Sequence, residues 1–290
     1  MAARESLEAG GGALAARHVA GRAALYAALL FFSVLFLFPL AWMISTALKD
    51  IRDVNSAQPV WIPWPPQWQN FVTVTDKLNF WRYALNTLTL CMLTVTGTVI
   101  SSALAAYGFA RIKWPGRDKL FIITLATMMI PFPVLMVPLY ALFKNLGWVG
   151  TFKPLWVPAF FASAYNIFLL RQFFRTIPQD LTDAAVVDGC GEFRIFWQMI
   201  VPLARPALMV VSLFCFMAVW NDFLGPLIYL SNANDHTLAL GLQAFQNRHG
   251  GTDTNLLMAA GTIMVVPIIV LFFFTQKTFI EGISLTGLKL

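Results

Sequence analysis

The sequence has very little charge for its length. Of its 290 residues, 14 are acidic and 20 are basic, so 12% are charged, while 58% are hydrophobic. A water-soluble protein of this size needs many more polar side chains to cover its surface. The mean hydropathy of +0.68 agrees with this shortage. The composition therefore excludes a soluble globular protein and predicts that lipid covers most of the surface.

Cysteine and histidine are also scarce. The three cysteines, Cys91, Cys190 and Cys215, are far apart and lack the spacing of metal ligands, and the three histidines are equally dispersed. We therefore expect no disulfide framework, metal site or proton relay. The net charge of +6 comes from short basic clusters between apolar runs, so the sequence does not predict nucleic-acid binding.

Motifs for several kinds of chemistry are missing as well. No segment has the form GxxxxGK[ST], in which backbone N–H groups hold the phosphates of ATP. No nucleophile, base and orienting residue are grouped as in an enzyme. We therefore expect neither an ATP-binding site nor an enzyme active site in this chain. A stand-alone secondary transporter is a disfavoured alternative, because such proteins often show two repeated halves and no repeat is visible here.

Six apolar stretches without Asp, Glu, Lys or Arg predict transmembrane helices, because a charge at the bilayer centre costs about 2.5–3.5 kcal/mol. The fourth stretch is short and begins with Pro154 and Pro158, so we expect its outer end to be irregular and packed against protein. The fifth reaches the required length of about 20 residues only if it continues through Asp222 to Tyr229. The six stretches are 23–48, 83–110, 120–143, 154–170, 206–221 and 254–276. The predicted fold class is an all-α polytopic membrane protein with six transmembrane helices.

The distribution of basic residues predicts the orientation. Thirteen of the 20 Lys and Arg residues fall before the first span, after the last, or in the 111–119 and 171–205 loops. Because positive residues concentrate on the cytoplasmic side, we expect a multi-pass membrane protein with both termini in the cytoplasm. Residues 1–22 and 278–290 are then cytoplasmic tails, the first of them disordered. Residues 49–82 form an extracytoplasmic loop, which its prolines predict to be ordered but not helical.

The longest cytoplasmic loop, residues 171–205, has the pattern of two short amphipathic helices. Pro178 suits the first turn of a helix, and Gly189 and Gly191 predict a tight turn between the two. Apolar residues recur at helical spacing on both sides of the turn. They are Leu181, Ala184 and Ala185 before it, and Phe193, Phe196, Trp197 and Ile200 after it.

Such helices either lie on lipid headgroups or on their own bundle, or place their apolar face in a groove of a partner protein. Ala184 and Ala185 favour a partner, because small side chains permit close approach and add little affinity for lipid. Pro202 near the end of the loop and Pro206 just after it bracket the return of the chain into the membrane.

The run DAAVVDGCGEFRIFWQMIVPLARP resembles the signature loop of the membrane subunits of ABC importers, which is EAA, three residues, G, nine residues and then I-x-L-P. Here Asp183 replaces the glutamate, Gly189 is the glycine and Pro202 ends the motif. Other segments, in the same order, resemble the carbohydrate-uptake branch of that family. They are NTLTL, AAYGFARIKWPGRDKLF, IPFPVLMVPLY, IFLLRQFFRTIPQDL, WNDFLGPL and FIEGISLTGLKL.

The resemblance implies a maltose-type permease subunit with the type I ABC importer fold and a core over residues 83–277. Such a subunit would lie in the inner membrane of a bacterial cell and bind no cofactor itself. It would pair with a homologous second permease, an extracytoplasmic solute-binding protein and an ATPase dimer that hydrolyses ATP. Residues 171–205, called the coupling loop below, would then transmit the closure of the ATPases to the spans. The residues to which the resemblance gives this role are Asp183, Ala184, Ala185 and Gly189, with Pro202 shaping the return. The solute would be a sugar; glycerol phosphate or another non-sugar solute is the alternative.

Polar residues in the spans are candidates for the translocation path. Asn221 and Asp222 come first, because acids within spans usually face water or a partner. The alternative is a hydrogen-bonded anchor near the outer end of the fifth helix. In the second span, polar side chains either bond sugar hydroxyls or pack helices together, and packing is favoured. These side chains are Asn86, Thr87, Ser101 and Ser102.

Overall fold

A computed structural model describes the backbone of residues 2–248 and 253–287 and the side chains of residues 20–246 and 253–276. Every regular element in these ranges is a helix, so the predicted all-α class is confirmed. The α-helices are α1 (Ala2–Ala47), α2 (Ile51–Val54), α3 (Gln69–Lys77), α4 (Phe80–Ala110), α5 (Arg117–Ala126), α6 (Phe132–Asn145), α7 (Lys153–Trp156), α8 (Ala164–Thr176), α9 (Gln179–Val187), α10 (Glu192–Ile195), α11 (Val201–Leu203), α12 (Arg205–Trp220), α13 (Leu224–Tyr229), α14 (Leu238–Arg248) and α15 (Thr254–Gly287).

The chain forms two compact units, residues 1–72 with 252–262, and residues 73–251 with 263–290. In the first unit, two asparagines satisfy the backbone carbonyl groups left open where α1 ends. The Nδ2 of Asn70 donates to the carbonyl oxygens of Ala47 and Lys49, at 2.8 and 2.9 Å. The Nδ2 of Asn255 donates to the same Lys49 carbonyl at 3.2 Å. The last turn of α1 is thereby held by residues distant in sequence.

Three helices in the described part of the chain are long and apolar enough to cross a membrane. They are Ala20–Ala47, Phe80–Ala110 and Thr254–Gln276. These helices coincide with the first, second and sixth predicted spans. In the first of them, none of the most apolar window is buried against the protein, so lipid or another subunit must cover it.

The third and fifth predicted spans are not continuous helices. The third is broken between Met129 and Phe132, where the chain bends by 97°. Pro131 and Pro133 explain the break, because proline lacks an N–H group and clashes with the preceding turn. The predicted continuation of the fifth helix through Asp222 is wrong, because α12 ends at Trp220 and α13 begins at Leu224.

The fourth predicted span is divided, as its prolines indicated. After α7, residues Val157–Phe161 form a 3₁₀ helix, and the chain turns at Ala162 before α8 begins. This 3₁₀ segment packs closely on α4: a Cβ atom at Gly97 would lie 2.4 Å from the ring of Phe160. Only glycine permits that approach. Counting each bent pair as one span gives up to five spans in the described residues, so the total of six spans stays a prediction.

Two predictions for the connecting segments need correction. The backbone is helical from Ala2, whereas a disordered tail is predicted over 1–22. This segment is rich in alanine, which has the highest helix propensity, and it continues directly into α1. The loop 49–82 is not wholly irregular either, since α2 and α3 lie within it. At the other end α15 extends to Gly287, and residues 288–290 of the predicted tail lie outside the described residues, as does Met1.

Candidate functional site

The coupling loop forms the two predicted helical segments around Gly189. Helix α9 ends in a Schellman motif: the N–H of Cys190 donates to the carbonyl of Ala185 at 2.9 Å, and the N–H of Gly189 to that of Val186 at 3.0 Å. Gly189 has φ +81, in the left-handed region where side chains are strained, although the space around it is open. The glycine is therefore required by the backbone and not by crowding.

The buried face of α9 differs from the predicted one. The sequence places Leu181, Ala184 and Ala185 on one face, but Ala185 and Thr182 are buried, while Leu181 and Ala184 are exposed. Neighbouring helical residues are about 100° apart, so a narrow buried face can separate two adjacent alanines. Ala185 belongs to the hydrophobic core that also contains Ile195. Asp183 is exposed beside Ala184.

The second half of the loop also departs from its predicted face. Residues Phe196–Ile200 form a π-helical turn, whose i to i+5 hydrogen bonds change the angular spacing of side chains. Phe196 and Ile200 are buried as predicted, but Phe193 is 72% exposed and Trp197 is 44% exposed. A π turn cannot be foreseen from a periodicity that assumes 3.6 residues per turn.

The outward-facing side of the coupling loop therefore carries large apolar side chains next to Asp183 and Ala184. We call this surface the apolar patch. An exposed apolar cluster on a loop that also carries four acidic residues is typical of an interface with another protein. The patch consists of Leu181, Val186, Val187, Phe193 and Trp197.

The inward-facing side is bonded to the end of α4 through residues that the sequence patterns did not single out. The Nη1 of Arg111 donates to Oε1 of Gln179 at 2.7 Å, and its Nη2 to the carbonyl of Ile177 at 2.6 Å. The hydroxyl of Tyr107 donates to Oε2 of Glu192 at 2.5 Å. Burial lowers the pKa of Arg111, while nearby Tyr107 and the Asp183 carboxylate act in the opposite direction. Tyr107 and Arg111, the residue that caps the end of α4, both lie in the AAYGFAR segment, and the family resemblance of that segment was the only signal in the sequence.

The return into the membrane is a sharp bend. The chain bends by 77° between the segment Glu192–Leu203 and α12, and Ala204 lies at the bend. Pro202 is half-buried before the bend, and Pro206 lies in the first turn of α12 after it. Proline is tolerated in the first turn of a helix, where its missing N–H has no intrahelical partner.

At the other end of α4, the candidate path residue Asn86 is engaged in a structural contact. Its Nδ2 donates to the carbonyl oxygens of Asn234 and His236, at 2.9 and 3.0 Å. The Nε of Arg82 donates to the same Asn234 carbonyl at 2.9 Å. These bonds hold the segment before α14 against α4. The amide N–H groups of Asn86 are therefore engaged in hydrogen bonds within the protein.

The other polar side chains of the second span join helices, as favoured from the sequence. The Oγ1 of Thr87 accepts from the N–H of Leu238 at 2.9 Å. The Oγ of Ser101 donates to the carbonyl of Ala159 at 3.0 Å, and Ser102 accepts from the N–H of Ser163 at 3.3 Å. Small hydroxyl side chains commonly bridge membrane helices in this way.

Asp222 and Asn221 lie in the break between α12 and α13. The Oδ1 of Asp222 accepts from the N–H of Gly225 at 3.1 Å and so caps the first turn of α13, which matches the predicted anchor. The Nδ2 of Asn221 donates to the carbonyl of Met217 at 2.8 Å, and Asn221 is exposed. No hydrogen bond between described residues joins Asn86 to either of them. Nor do the described residues contain a group of three His, Cys, Asp or Glu side chains that could hold a metal ion.

The chain matches a known family over most of its length. Residues 97–284 match the family described as "Binding-protein-dependent transport system inner membrane component". An arabinooligosaccharides transport system permease protein of Bacillus subtilis is 31% identical, over 89% of this chain and 92% of that protein. An sn-glycerol-3-phosphate transport system permease protein of Yersinia pestis is 30% identical, over 86% and 91%.

The fold is found in a solved structure. A bacterial ABC transporter involved in the import of the acidic polysaccharide alginate contains a chain that is 24% identical to this one, with a TM-score of 0.76. The similarity covers 87% of this chain and 94% of that chain. Fold, membrane location and sequence similarity agree with the resemblance noted from the signature loop. The chain belongs to the binding-protein-dependent transport system inner membrane components.

Proposed function

We propose that this chain is the membrane-spanning subunit of an importer that moves a sugar or related small solute, and that the coupling loop docks on a separate ATPase. The apolar patch is the observation that carries the proposal. Val187 is 86% exposed on the coupling loop, which the proposed orientation places on the cytoplasmic side. Burying one such side chain in a partner contributes about 1.5–3 kcal/mol.

The shape of the patch suits a cleft on the partner. Ala184 is exposed between larger apolar side chains, so the backbone of α9 can approach another protein closely. Exposed Asp183 accepts a hydrogen bond from Nε2 of Gln179 at 3.2 Å, which fixes its carboxylate at the edge of the patch. The patch supplies apolar contact and Asp183 supplies a charge for orientation.

The proposed assembly has four kinds of component besides lipid. Two ATPase subunits bind and hydrolyse ATP, since the sequence of this chain has no GxxxxGK[ST] segment. An extracytoplasmic binding protein delivers the solute, and a homologous second permease completes the path. Lipid and this second permease cover the apolar side chains of α1, which are at least half exposed from Leu25 to Phe38.

A neutral solute is favoured over a phosphate ester by a cleft in the second unit. The cleft has a volume of about 570 Å³ and is lined by Phe223, Leu227, Leu230, His236, Leu240, Gln243 and Ala244. A phosphate group is usually held by Arg or Lys, and neither contributes to this lining. The arabinooligosaccharide relative supports a sugar, whereas the glycerol-3-phosphate relative keeps the phosphate ester as the second candidate.

Asn86, Asn221 and Asp222 contribute to the path in different ways under this proposal. Asn86 supports the cleft, because it holds the carbonyl of His236, a lining residue. Asp222 fixes the start of α13, which carries Leu227. Asn221 is the exposed member of the three, and its amide oxygen has no partner among the described residues.

Co-purification tests the docking surface. The permease is expressed with its second permease and ATPase, and Phe193→Ser is compared with Phe161→Ser. Both changes remove an exposed phenylalanine, but Phe161 is 81% exposed outside the coupling loop. We expect the Phe193 variant to lose most of the bound ATPase and the Phe161 variant to keep it. Equal retention in both variants would contradict docking through the patch.

The solute is tested with the complete transporter in liposomes. ATP hydrolysis and uptake are measured with arabinotriose and with glycerol 3-phosphate, each supplied with the binding protein. Stimulation by arabinotriose alone supports a sugar importer, and stimulation by glycerol 3-phosphate alone assigns the second candidate. Uptake that persists without the ATPase would instead indicate a stand-alone secondary transporter.

A further inference from the structure

The end of α4 bonds both halves of the coupling loop. Tyr107 and Arg111 are four residues apart and therefore project from the same side of the helix. Tyr107 bonds Glu192, the first residue of α10, and Arg111 bonds Gln179, the first residue of α9. The two contacts lie on opposite sides of the Gly189 turn. Because the two contacts hold both α9 and α10, the coupling loop cannot rotate about either contact alone unless α4 also moves.

The Arg111 contact continues to the surface of the loop. Gln179 accepts from Nη1 of Arg111 through Oε1 and donates to Asp183 through Nε2, at 2.7 and 3.2 Å. A chain of three side chains thus joins α4 to the exposed acid beside the apolar patch. Hydrogen bonds arranged in series polarise one another, so each member strengthens the next.

Burial makes these contacts difficult to rearrange. Arg111 is 9% exposed and Tyr107 is 5% exposed. The Tyr107 ring also packs on Phe196, with 5.2 Å between ring centroids. The Nε of Arg111 is buried without a partner among the described residues, so the two Nη donors alone hold the guanidinium group. Breaking a bond to a buried charge leaves it unsatisfied, at a cost of several kcal/mol.

We propose that Tyr107 and Arg111 are positioning residues that join the coupling loop to α4, so that displacement of the loop displaces α4. Helix α4 packs against α8, α12 and the 157–161 segment, and therefore passes the movement to the centre of the second unit. The proposal rests on the proposed docking of the coupling loop on an ATPase. The proposal assigns a function to the AAYGFAR segment, which lies outside the apolar patch.

The test compares Arg111→Met with Lys113→Met in the complete transporter. Methionine keeps an unbranched side chain at both positions and removes the charge, but Lys113 is an exposed base with no part in the contacts above. Bound ATPase, ATP hydrolysis and uptake of the transported solute, arabinotriose or glycerol 3-phosphate, are measured in liposomes. We expect Arg111→Met to retain bound ATPase and to lose about tenfold in solute imported per ATP hydrolysed. Lys113→Met should match the original chain.

A purely structural role for Arg111 gives a different result. Expression, bound ATPase, hydrolysis and uptake would then fall together, with the uptake-to-hydrolysis ratio unchanged, and this would overturn the inference. Absence of ATPase from the unsubstituted complex would instead overturn the proposed function. Arg111→Lys should partly restore the ratio, because lysine keeps the charge but cannot present two donors in one plane.

A milder pair keeps the inference testable if Arg111→Met does not fold. Tyr107→Phe removes one hydroxyl and keeps the ring on Phe196, and Glu192→Met removes the acceptor. The two changes break the same bond, so the double variant should lose no more imported solute per ATP than either single variant. Additive losses would show that the two residues act separately and would contradict the link.

Discussion

The two ends of α4 each hold an irregular segment, but they leave different groups exposed. Near its start, Arg82 and Asn86 bond the backbone carbonyls of Asn234 and His236. Near its other end, Arg111 and Tyr107 bond the coupling loop. At the first end, the polar groups predicted to meet a solute are engaged in bonds within the protein. At the second end, the bonds leave a cluster of large apolar side chains facing outward.

The difference shows that residue type alone does not reveal which surface is free to bind. Lipid cannot bond the backbone groups of an irregular segment, so a polar side chain of a neighbouring membrane helix can be required to bond them, as Asn86 does. The exposed apolar side chains of the coupling loop bond no backbone group, so their exposure requires another explanation. The apolar patch is therefore stronger evidence of a partner than Asn86 is of a solute contact.

The largest effect is expected for a substitution in the coupling loop. Gly189→Val places a β-branched residue at φ +81, which costs at least about 1–2 kcal/mol and distorts the turn between α9 and α10. We expect membrane insertion to continue and solute uptake in liposomes to fall more than about tenfold. Gly191→Val is the matched control, because Gly191 has φ −75 and open space around it. Normal uptake by a well-expressed Gly189→Val variant would contradict the requirement for this turn.

A second pair of variants sharpens the distinction between the two sides of α9. Ala185→Leu adds volume to a packed core and should lower the free energy of unfolding by about 1–3 kcal/mol. Ala184→Leu lies on the exposed side and should leave thermal stability in detergent unchanged while weakening ATPase binding. Equal loss of stability in the two variants would show that the assigned faces are wrong.

A third change tests the outer end. Asn86→Ala removes the Nδ2 hydrogen bonds to the carbonyls of Asn234 and His236 and should lower the free energy of unfolding by about 1–2 kcal/mol. ATPase co-purification should not change, because the coupling loop keeps its contacts. Asn86→Asp, which removes the Nδ2 donor and adds a charge, should be at least as destabilising. A loss of uptake without any loss of stability would indicate direct contact between Asn86 and the solute.

The smallest effect is expected for Asp222→Asn. The asparagine side-chain oxygen can still accept from the N–H of Gly225, so the start of α13 should be retained and uptake should change less than about twofold. Asp222→Leu serves as the contrasting variant, since it removes the acceptor and should cost about 1 kcal/mol. A severe loss of uptake in Asp222→Asn would mean that the charge, and not the cap, is required.

The sequence predicts the features that depend on composition and local spacing. Scarce charge identifies lipid as the solvent, and long uncharged stretches locate α1, α4 and α15. The turn at Gly189 is also predictable, because a glycine after a helical pattern is the usual left-handed cap. The resemblance of the segment from Asp183 to Pro202 to the signature loop led to the family, which the comparisons confirm.

Tertiary structure decides which side of each element is buried and which polar groups are already bonded. Ala184 and Ala185 have the same side chain, and only packing against Ile195 and its neighbours separates them. The bonds of Arg111 join residues 66 and 68 positions apart, beyond the reach of any helical periodicity. Periodicity states which residues share a face of a helix, whereas burial and hydrogen bonding depend on what that face meets.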